Sequence, residues 1–161
     1  MFSIDQADVV IDLASQTLSL PKKNKLYSIS SGLNGIGEEE NSGKTPRGWH
    51  KIEKKIGGEM PLNAVFKGRQ WTGEIYDVEL GQSNPERDWI LSRIIWLSGL
   101  EVGFNQGEGC DTFNRYIYIH GTPESEPMGI AKSHGCIRMH NAEVQEIYEL
   151  LNEGDLVYLS E

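Results

Sequence analysis

The chain has 161 residues, a formal net charge of −9 and 18 glycines. This length suits one compact domain, and the excess of acidic side chains excludes the broad basic face that nucleic-acid binding through phosphates requires. The two cysteines are too few for a disulfide framework in a chain of this size. We therefore expect a single domain over residues 1–161, mostly β in structure and rich in turns.

The first predicted elements are short strands separated by turns. Residues 9–13 and 17–20 are apolar-rich and predict a hairpin, and residues 26–30 alternate apolar and polar side chains as a half-buried strand does. Residues 32–48 contain five glycines and a proline. They predict a long irregular loop of the kind that often carries function, after which a strand resumes.

The middle of the chain gives weaker patterns. Residues 57–85 are turn-rich and permit no clear assignment. Residues 89–97 are β-branched and aromatic, which predicts a strand buried on both faces, although periodicity alone also permits a helix. Residues 116–120 predict a strand that presents its two tyrosines and His120 on one face.

The last quarter of the chain predicts one helix and one strand. Asn141 is a suitable N-cap for the helix, and Gly154 is a suitable stop. Apolar residues recur between them at helical spacing, at Val144, Ile147, Tyr148 and Leu151. Residues 156–159 then read as a closing strand. The predicted fold class is mostly β with one or two helices.

A cysteine and two histidines indicate a nucleophilic site near residues 133–138, Ser-His-Gly-Cys-Ile-Arg. A thiol attacks as the thiolate, so Cys136 needs a base or a cation beside its sulfur. His120, at the end of a predicted strand, is a better base than His134, which is too close in sequence for its ring to face the sulfur with certainty. Gly135 permits a tight turn that aims consecutive N–H groups at one point, as an oxyanion hole requires. The residues alone equally permit a buried structural cysteine beside two hydrogen-bonded histidines.

A metal site is another use of the same residue types. Six side chains could serve as zinc ligands: His50, His120, His134, His140, Cys110 and Cys136. No pair of them has the close ligand spacing that is typical of zinc sites. We therefore expect neither a metal ion nor another cofactor, and we interpret Cys110 as a spare loop thiol.

These motifs resemble those of one family. Residues 116–122, Tyr-Ile-Tyr-Ile-His-Gly-Thr, and residues 133–139, Ser-His-Gly-Cys-Ile-Arg-Met, closely resemble the L,D-transpeptidase catalytic domain, also called the YkuD domain. Residues 42–49 are similar to its Thr-Pro-x-Gly turn, and residues 10–18 to its first hairpin. With Arg138 at this position the chain resembles a large Gram-negative branch of the family, whereas many other members have Asn there. The resemblance implies a YkuD-like β-sandwich, or cradle.

The resemblance also implies an acyl transfer on peptidoglycan. Cys136 would attack the carbonyl of an L,D bond in a stem peptide, D-alanine would leave, and water or an amine would resolve the thioester. His120 would be the general base and acid, oriented by the backbone carbonyl of Gly121. The backbone N–H groups of His134, Gly135 and Cys136 would hold the oxyanion.

Three further residues are candidates for substrate binding: Ser133, Tyr118 and Arg138. The guanidinium of Arg138 suits bidentate binding of a stem-peptide carboxylate, or else it pairs with an acidic neighbour on the protein. Tyr118 shares a face with His120, although core packing is the more frequent role of an aromatic side chain. The expected partners are peptidoglycan stem peptides or muropeptides, and the resemblance implies that carbapenems acylate Cys136.

The start of the chain bears on location and on the acceptor. Residues 1–6 show neither a basic leader nor an apolar run before a cleavage site, and no segment has the length of a membrane span. We therefore expect a cytoplasmic L,D-carboxypeptidase of murein recycling that uses water as acceptor. The alternative is a periplasmic L,D-transpeptidase, its leader missing here, that forms crosslinks or exchanges D-amino acids. A catalytically silent binding module of the same fold is a third reading.

Overall fold

The computed structural model describes residues 2–161 and consists mainly of strands. The strands are β1 Val9–Asp12, β2 Thr17–Leu20, β3 Lys25–Ser28, β4 Gly48–Ile56, β5 Ala64–Lys67, β6 Gln70–Ile75, β7 Ile90–Gly99, β8 Tyr118–Thr122, β9 Ile137–His140 and β10 Leu156–Ser160. The helices are α1 Val78–Ser83 and α2 Asn141–Leu150. The prediction of a mostly β fold with one or two helices is confirmed. No helix within residues 2–161 combines the length and the apolar character that crossing a membrane requires.

All ten strands belong to one hydrogen-bonded sheet. Its path runs β3-β2-β1-β10-β4-β7-β5-β6, with β8 on the other side of β7 and β9 beside β8. The β1–β10 and β8–β9 pairs are parallel, and the other pairs are antiparallel. Strand β7 is the branch point, because it pairs with β4, β5 and β8. Nine of its ten residues are buried, which confirms the doubly buried strand predicted there.

The main core lies between the sheet and helix α2. The helix contacts β7, β8 and β9 and buries Val144 and Ile147 against apolar strand residues. Each such side chain contributes about 1.5–3 kcal/mol when it is fully buried. This packing fixes α2 directly behind the parallel pair β8–β9, so that pair has a rigid support.

The predicted helix near Asn141 is present as α2, but its predicted N-cap and its predicted stop are wrong. The helix begins at Asn141 with His140 as its N-cap, and it ends at Leu150, before Gly154. Asn141 does not cap the helix because its side chain joins two strands instead. Its Nδ2 donates to the carbonyl of Thr122 at 3.0 Å, and its Oδ1 accepts from the hydroxyl of Ser92 at 2.7 Å.

The predicted face of β8 needs a second correction. Tyr116 has φ +58° and is 52% exposed, so the strand begins only at Tyr118. A left-handed residue breaks the alternation of side chains. Tyr116 therefore does not share the face of Tyr118 and His120, and His120 lies in the middle of β8 rather than at its end.

The segment that the sequence left unassigned forms a hairpin and a short helix. Strands β5 and β6 are joined at Gly68 and Arg69, both in the left-handed region with φ of +56° and +65°. Two left-handed residues suit the twist of a two-residue hairpin loop. Asp77 then caps α1 by accepting the N–H of Leu80 at 2.7 Å. The hairpin tip carries the side chain of Arg69 back toward β8.

Candidate active site

The parallel pairing of β8 with β9 brings the candidate catalytic residues together. The register places His120 opposite Arg138. Paired residues of neighbouring strands have side chains on the same face, and residues two apart return to that face. Cys136 immediately precedes β9, two residues before Arg138. The thiol and the imidazole therefore occupy one side of the strand pair, as diagonal neighbours.

His120 is held as a neutral base. Its Nδ1 lies 2.6 Å from the carbonyl oxygen of Gly121, so Nδ1 carries the proton and donates it to that oxygen. The ring is 2% exposed, and Nε2 hydrogen-bonds to no group in residues 2–161. Burial lowers the pKa of His120 from its ordinary value, although the Gly121 carbonyl and Asp88 oppose this shift. Nε2 is therefore unprotonated at neutral pH and free to accept a proton.

The carbonyl that orients His120 is fixed by tight packing. A Cβ at position 121 would collide with the side chain of Asn141 and the carbonyl of Leu91. Residue 121 must therefore be glycine. The contact explains why the sequence has His-Gly here: the glycine lets β8 approach both β7 and the start of α2.

Cys136 rests as a thiol. Its Sγ donates to the carbonyl of Tyr116 at 3.3 Å and accepts the backbone N–H of Tyr118 at 3.3 Å. Burial raises the pKa of Cys136 to about 12, and the charge of Asp88 adds to this effect. A thiol with this pKa is not a nucleophile at neutral pH. Attack therefore requires a base that removes the proton as the sulfur reacts.

The loop before Cys136 is shaped by Thr45. The Thr45 hydroxyl donates to the carbonyl of Gly135 at 2.8 Å and accepts the N–H of Gly32 at 2.8 Å. Gly135 has φ +121°, a conformation that favours glycine. The C=O and N–H of a trans peptide point in opposite directions, so the N–H of Cys136 points away from Thr45. That N–H hydrogen-bonds to no group in residues 2–161 and is available to an oxyanion.

Ser133 differs from its predicted substrate-binding role, and the ring of His134 lies at the surface beside Asp88. Ser133 is buried, and its hydroxyl donates to the carbonyl of Cys136 and accepts the N–H of Gly135. It therefore braces the loop rather than presenting its hydroxyl to a substrate, and the Gly135 N–H is already engaged. The ring of His134 is 77% exposed and lies 3.2 Å from Asp88.

Arg138 is already paired with acidic neighbours. Its side chain is 9% exposed, and its guanidinium lies 3.0 Å from Asp88 and 3.5 Å from Glu126. Burial acts to raise the pKa of Asp88, but His120, Arg138 and His134 lower it overall. Asp88 is therefore an anion that contacts His134 and Arg138 and acts on His120 through its charge. No sequence pattern indicated Asp88, because it lies outside any motif in the irregular segment between α1 and β7.

An aromatic wall forms the other side of the site. It consists of Trp96, Phe113, Tyr116 and Tyr118. Phe113 stacks on Trp96 with ring centroids 4.0 Å apart, and Tyr118 meets Trp96 edge-on at 5.5 Å. Cys136 packs against this cluster. The hydroxyl of the buried Tyr118 accepts from Nη1 of Arg69 at 3.1 Å, so Arg69 is a further residue of the site that the sequence did not indicate.

The remaining candidate ligands lie elsewhere. His50 is buried between the carbonyl of Gly48 and the hydroxyl of Thr112. Cys110 is a free thiol in the loop between β7 and β8. No three His, Cys, Asp or Glu side chains within residues 2–161 come together in a way that could hold a metal ion.

A family model and a curated sequence match this chain. The model of the YkuD family, the L,D-transpeptidase catalytic domain, matches residues 6–159. The putative L,D-transpeptidase YqjB of Bacillus subtilis (strain 168) is 38% identical over 60 residues. Those residues are 37% of this chain and 32% of that protein.

Solved structures share the fold. The L,D-transpeptidase from Xylanimonas cellulosilytica DSM 15894 is 19% identical with a TM-score of 0.53, over 94% of this chain and 59% of that one. The L,D-transpeptidase LdtMt1, solved in complex with imipenem, is 18% identical with a TM-score of 0.53, over 94% of this chain and 57% of that one. The predicted YkuD-like cradle is confirmed. This chain covers less than two thirds of the length of each relative.

Proposed function

Because the chain belongs to the YkuD family of L,D-transpeptidase catalytic domains, we propose that it is a cysteine acyltransferase acting on the L,D bond of peptidoglycan tetrapeptide stems. The observation that carries the proposal is the arrangement of one half-buried thiol and one neutral imidazole on the same side of β8–β9. Cys136 is protonated at rest, and Nε2 of His120 has no other partner within residues 2–161. This is the arrangement of a nucleophile with its general base.

The proposed first half-reaction releases D-alanine. Nε2 of His120 takes the thiol proton while Sγ of Cys136 bonds to the carbonyl carbon of the L,D bond. The N–H of Cys136 donates to the oxyanion that develops on that carbonyl, with the N–H of His134 as a second donor. The C–N bond then breaks, His120 returns the proton to the leaving amine, and a thioester remains on Cys136.

We propose water as the acceptor in the second half-reaction, which makes the protein an L,D-carboxypeptidase of murein recycling in the cytoplasm. A neutral His120 is suited to take a proton from water, which then attacks the thioester. Both cysteines are free, which suits a reducing compartment. A cavity of about 530 Å³, lined in part by Tyr116, Ile117 and His134, offers room for a peptide beside the site.

Transpeptidation in the periplasm is the second candidate. The carboxylates of Asp88 and Glu126 lie beside Arg138 and are both partly exposed. Opposite charges attract, so these carboxylates would favour the ammonium group of an acceptor stem or D-amino acid. A crosslink or an exchanged terminal residue would then be the product.

Product analysis tests the acceptor. The protein is incubated with a soluble disaccharide-tetrapeptide, with and without a D-amino acid, and intact mass reports the acyl-enzyme. We expect tripeptide and free D-alanine from the wild type, and neither from Cys136→Ala. Products that are exclusively crosslinked or exchanged would refute the carboxypeptidase. An absence of acyl-enzyme in the wild type would refute the acyl transfer itself.

We also propose that a carbapenem acylates Cys136. The support is the relative LdtMt1, whose structure was solved in complex with imipenem. Intact-mass analysis should show one imipenem adduct on the wild type and none on Cys136→Ala. An adduct of equal yield on both proteins would contradict acylation at Cys136.

A further inference from the structure

Arg69 is an arginine without a carboxylate partner beside the candidate nucleophile. Its guanidinium lies 4.7 Å from the ring centroid of Tyr116 and 5.2 Å from that of Trp96, and Nη1 donates to the hydroxyl of Tyr118. No Asp or Glu in residues 2–161 forms an ion pair with it. The chain has 24 acidic and 15 basic side chains, so its own carboxylates are plentiful. An arginine left unpaired in such a chain is available for an external anion.

The same two tyrosines join Arg69 to the thiol. The hydroxyl of Tyr118 accepts a hydrogen bond from Nη1 of Arg69, and its backbone N–H donates one to Sγ of Cys136. The ring of Tyr116 lies under the guanidinium, and its backbone carbonyl accepts a hydrogen bond from the thiol. The guanidinium is thus one tyrosine side chain away from the sulfur. A peptide that runs from the sulfur along these two tyrosines would carry the carboxylate one residue beyond the attacked carbonyl, about 3.8 Å further along an extended chain, toward Arg69.

Arg138, the carboxylate receptor that the sequence suggested, is less available. Two carboxylates of the protein already neutralise it, and its side chain is 9% exposed. A substrate carboxylate would have to displace Asp88 or Glu126 and leave it without its partner. Arg69 requires no such exchange, because its single side-chain hydrogen bond goes to a neutral hydroxyl.

We propose that Arg69 is a specificity-determining residue that binds the free C-terminal carboxylate of the leaving D-amino acid. Stacking on the aromatic wall holds the guanidinium plane, and its remaining N–H groups, which donate to no acceptor in residues 2–161, offer the fork that suits a carboxylate. The inference rests on the proposed function, since it assigns Arg69 to the leaving group of that reaction. The enzyme would thereby select stems that end at the residue after the attacked bond.

Two substrates and three variants test this role. The substrates are a tetrapeptide stem with a free C-terminal carboxylate and the same stem as its C-terminal amide, and the readout is kcat/KM for acylation of Cys136. We expect Arg69→Gln to lower kcat/KM for the acid roughly 10- to 150-fold, the range for a hydrogen bond to a charged group, and to change that for the amide less than about threefold. Arg69→Lys, which keeps the charge but lacks the fork, should fall between. Lys67→Gln is the matched control on the same hairpin, and it should change neither substrate.

The outcomes separate the inference from the proposed function. Equal losses on acid and amide in Arg69→Gln would overturn the inference, because Arg69 would then support only the aromatic wall. A loss of equal size in Lys67→Gln would also overturn it, since the effect would then follow the total charge of the hairpin rather than a contact at Arg69. Failure of the wild type to form an acyl-enzyme with either peptide would overturn the proposed function and, with it, this inference.

Discussion

Two buried histidines in this molecule differ in the use of one nitrogen. His50 bonds the carbonyl of Gly48 at 3.0 Å through Nδ1 and the hydroxyl of Thr112 at 2.8 Å through Nε2. His120 bonds a carbonyl in the same way through Nδ1, but its Nε2 has no hydrogen-bond partner within residues 2–161. Burial lowers the pKa of both rings. A buried, neutral histidine is therefore not by itself a base; the free nitrogen on the side of a thiol makes the difference.

The largest expected effect comes from removing the free nitrogen. His120→Gln should lower kcat/KM for acylation by about 10²–10⁴, because a thiol with a pKa of about 12 depends on a base to remove its proton. Mass spectrometry of samples quenched at successive times measures the rate of acyl-enzyme formation, and circular dichroism shows that the fold is kept. A loss smaller than about tenfold would mean that another base serves Cys136.

Acidification should affect stability through His50 and catalysis through His120. The pKa of His50 is lowered by burial from 6.5 to about 4, so below pH 6.5 the unfolded chain binds a proton that the folded one refuses. The free energy of unfolding therefore keeps its full value with respect to His50 above pH 6.5. It falls by about 3 kcal/mol, from this group alone, as the pH drops toward 4. Urea unfolding across this interval measures it. In contrast, kcat/KM should report His120, with an acid limb below the ordinary imidazole pKa. An acid limb above that value would contradict the neutral base.

A third effect should appear in stability but not in catalysis. His50→Leu leaves the hydroxyl of Thr112 without its buried partner, which should cost about 1–3 kcal/mol of unfolding free energy. Denaturant midpoints measure the loss, and kcat/KM at a temperature where the variant is folded should be unchanged. Thr112→Val, which removes the same hydrogen bond from the other side, is the matched variant. A catalytic loss as large as that of His120→Gln would remove the distinction between the two histidines.

The smallest expected effect concerns the anion beside the site. The charge of Asp88 raises the pKa of both His120 and Cys136, so Asp88→Asn should lower both. The acid limb of kcat/KM and the alkylation of Cys136 by iodoacetamide should then begin at lower pH. Glu126→Gln, which also removes a partner of Arg138, should leave both profiles in place. Unchanged profiles in Asp88→Asn would show that its carboxylate does not act on the pair.

Local patterns predicted the elements and part of the site. Strand β7 and the first hairpin were predicted from their apolar residues, because burial leaves a direct pattern of apolar side chains in the sequence. Short motifs indicated Cys136 and His120, and the structure places Cys136 directly before β9 and His120 within the neighbouring β8. The strand at Tyr116 was predicted too early, because a left-handed residue there leaves no mark on the alternation of apolar and polar side chains.

Long-range contacts account for what the sequence did not reveal. Asp88 reaches Arg138 from 50 positions away, and Arg69 reaches Tyr118 from 49 positions away. Both start in a turn-rich stretch without periodicity, so nothing local distinguishes them from ordinary surface charges. Their roles follow from the path of β7, which carries both segments to the side of β8.

The resting thiol has a consequence for the survival of the protein under oxidative stress. Peroxides and disulfides react with thiolates, and a sulfur that stays protonated reacts with them slowly. Because burial raises the pKa of Cys136 to about 12, its sulfur is sheltered from sulfenic acid and mixed-disulfide formation until a substrate recruits His120. The burial that delays ionisation would thus also protect the proposed nucleophile between turnovers.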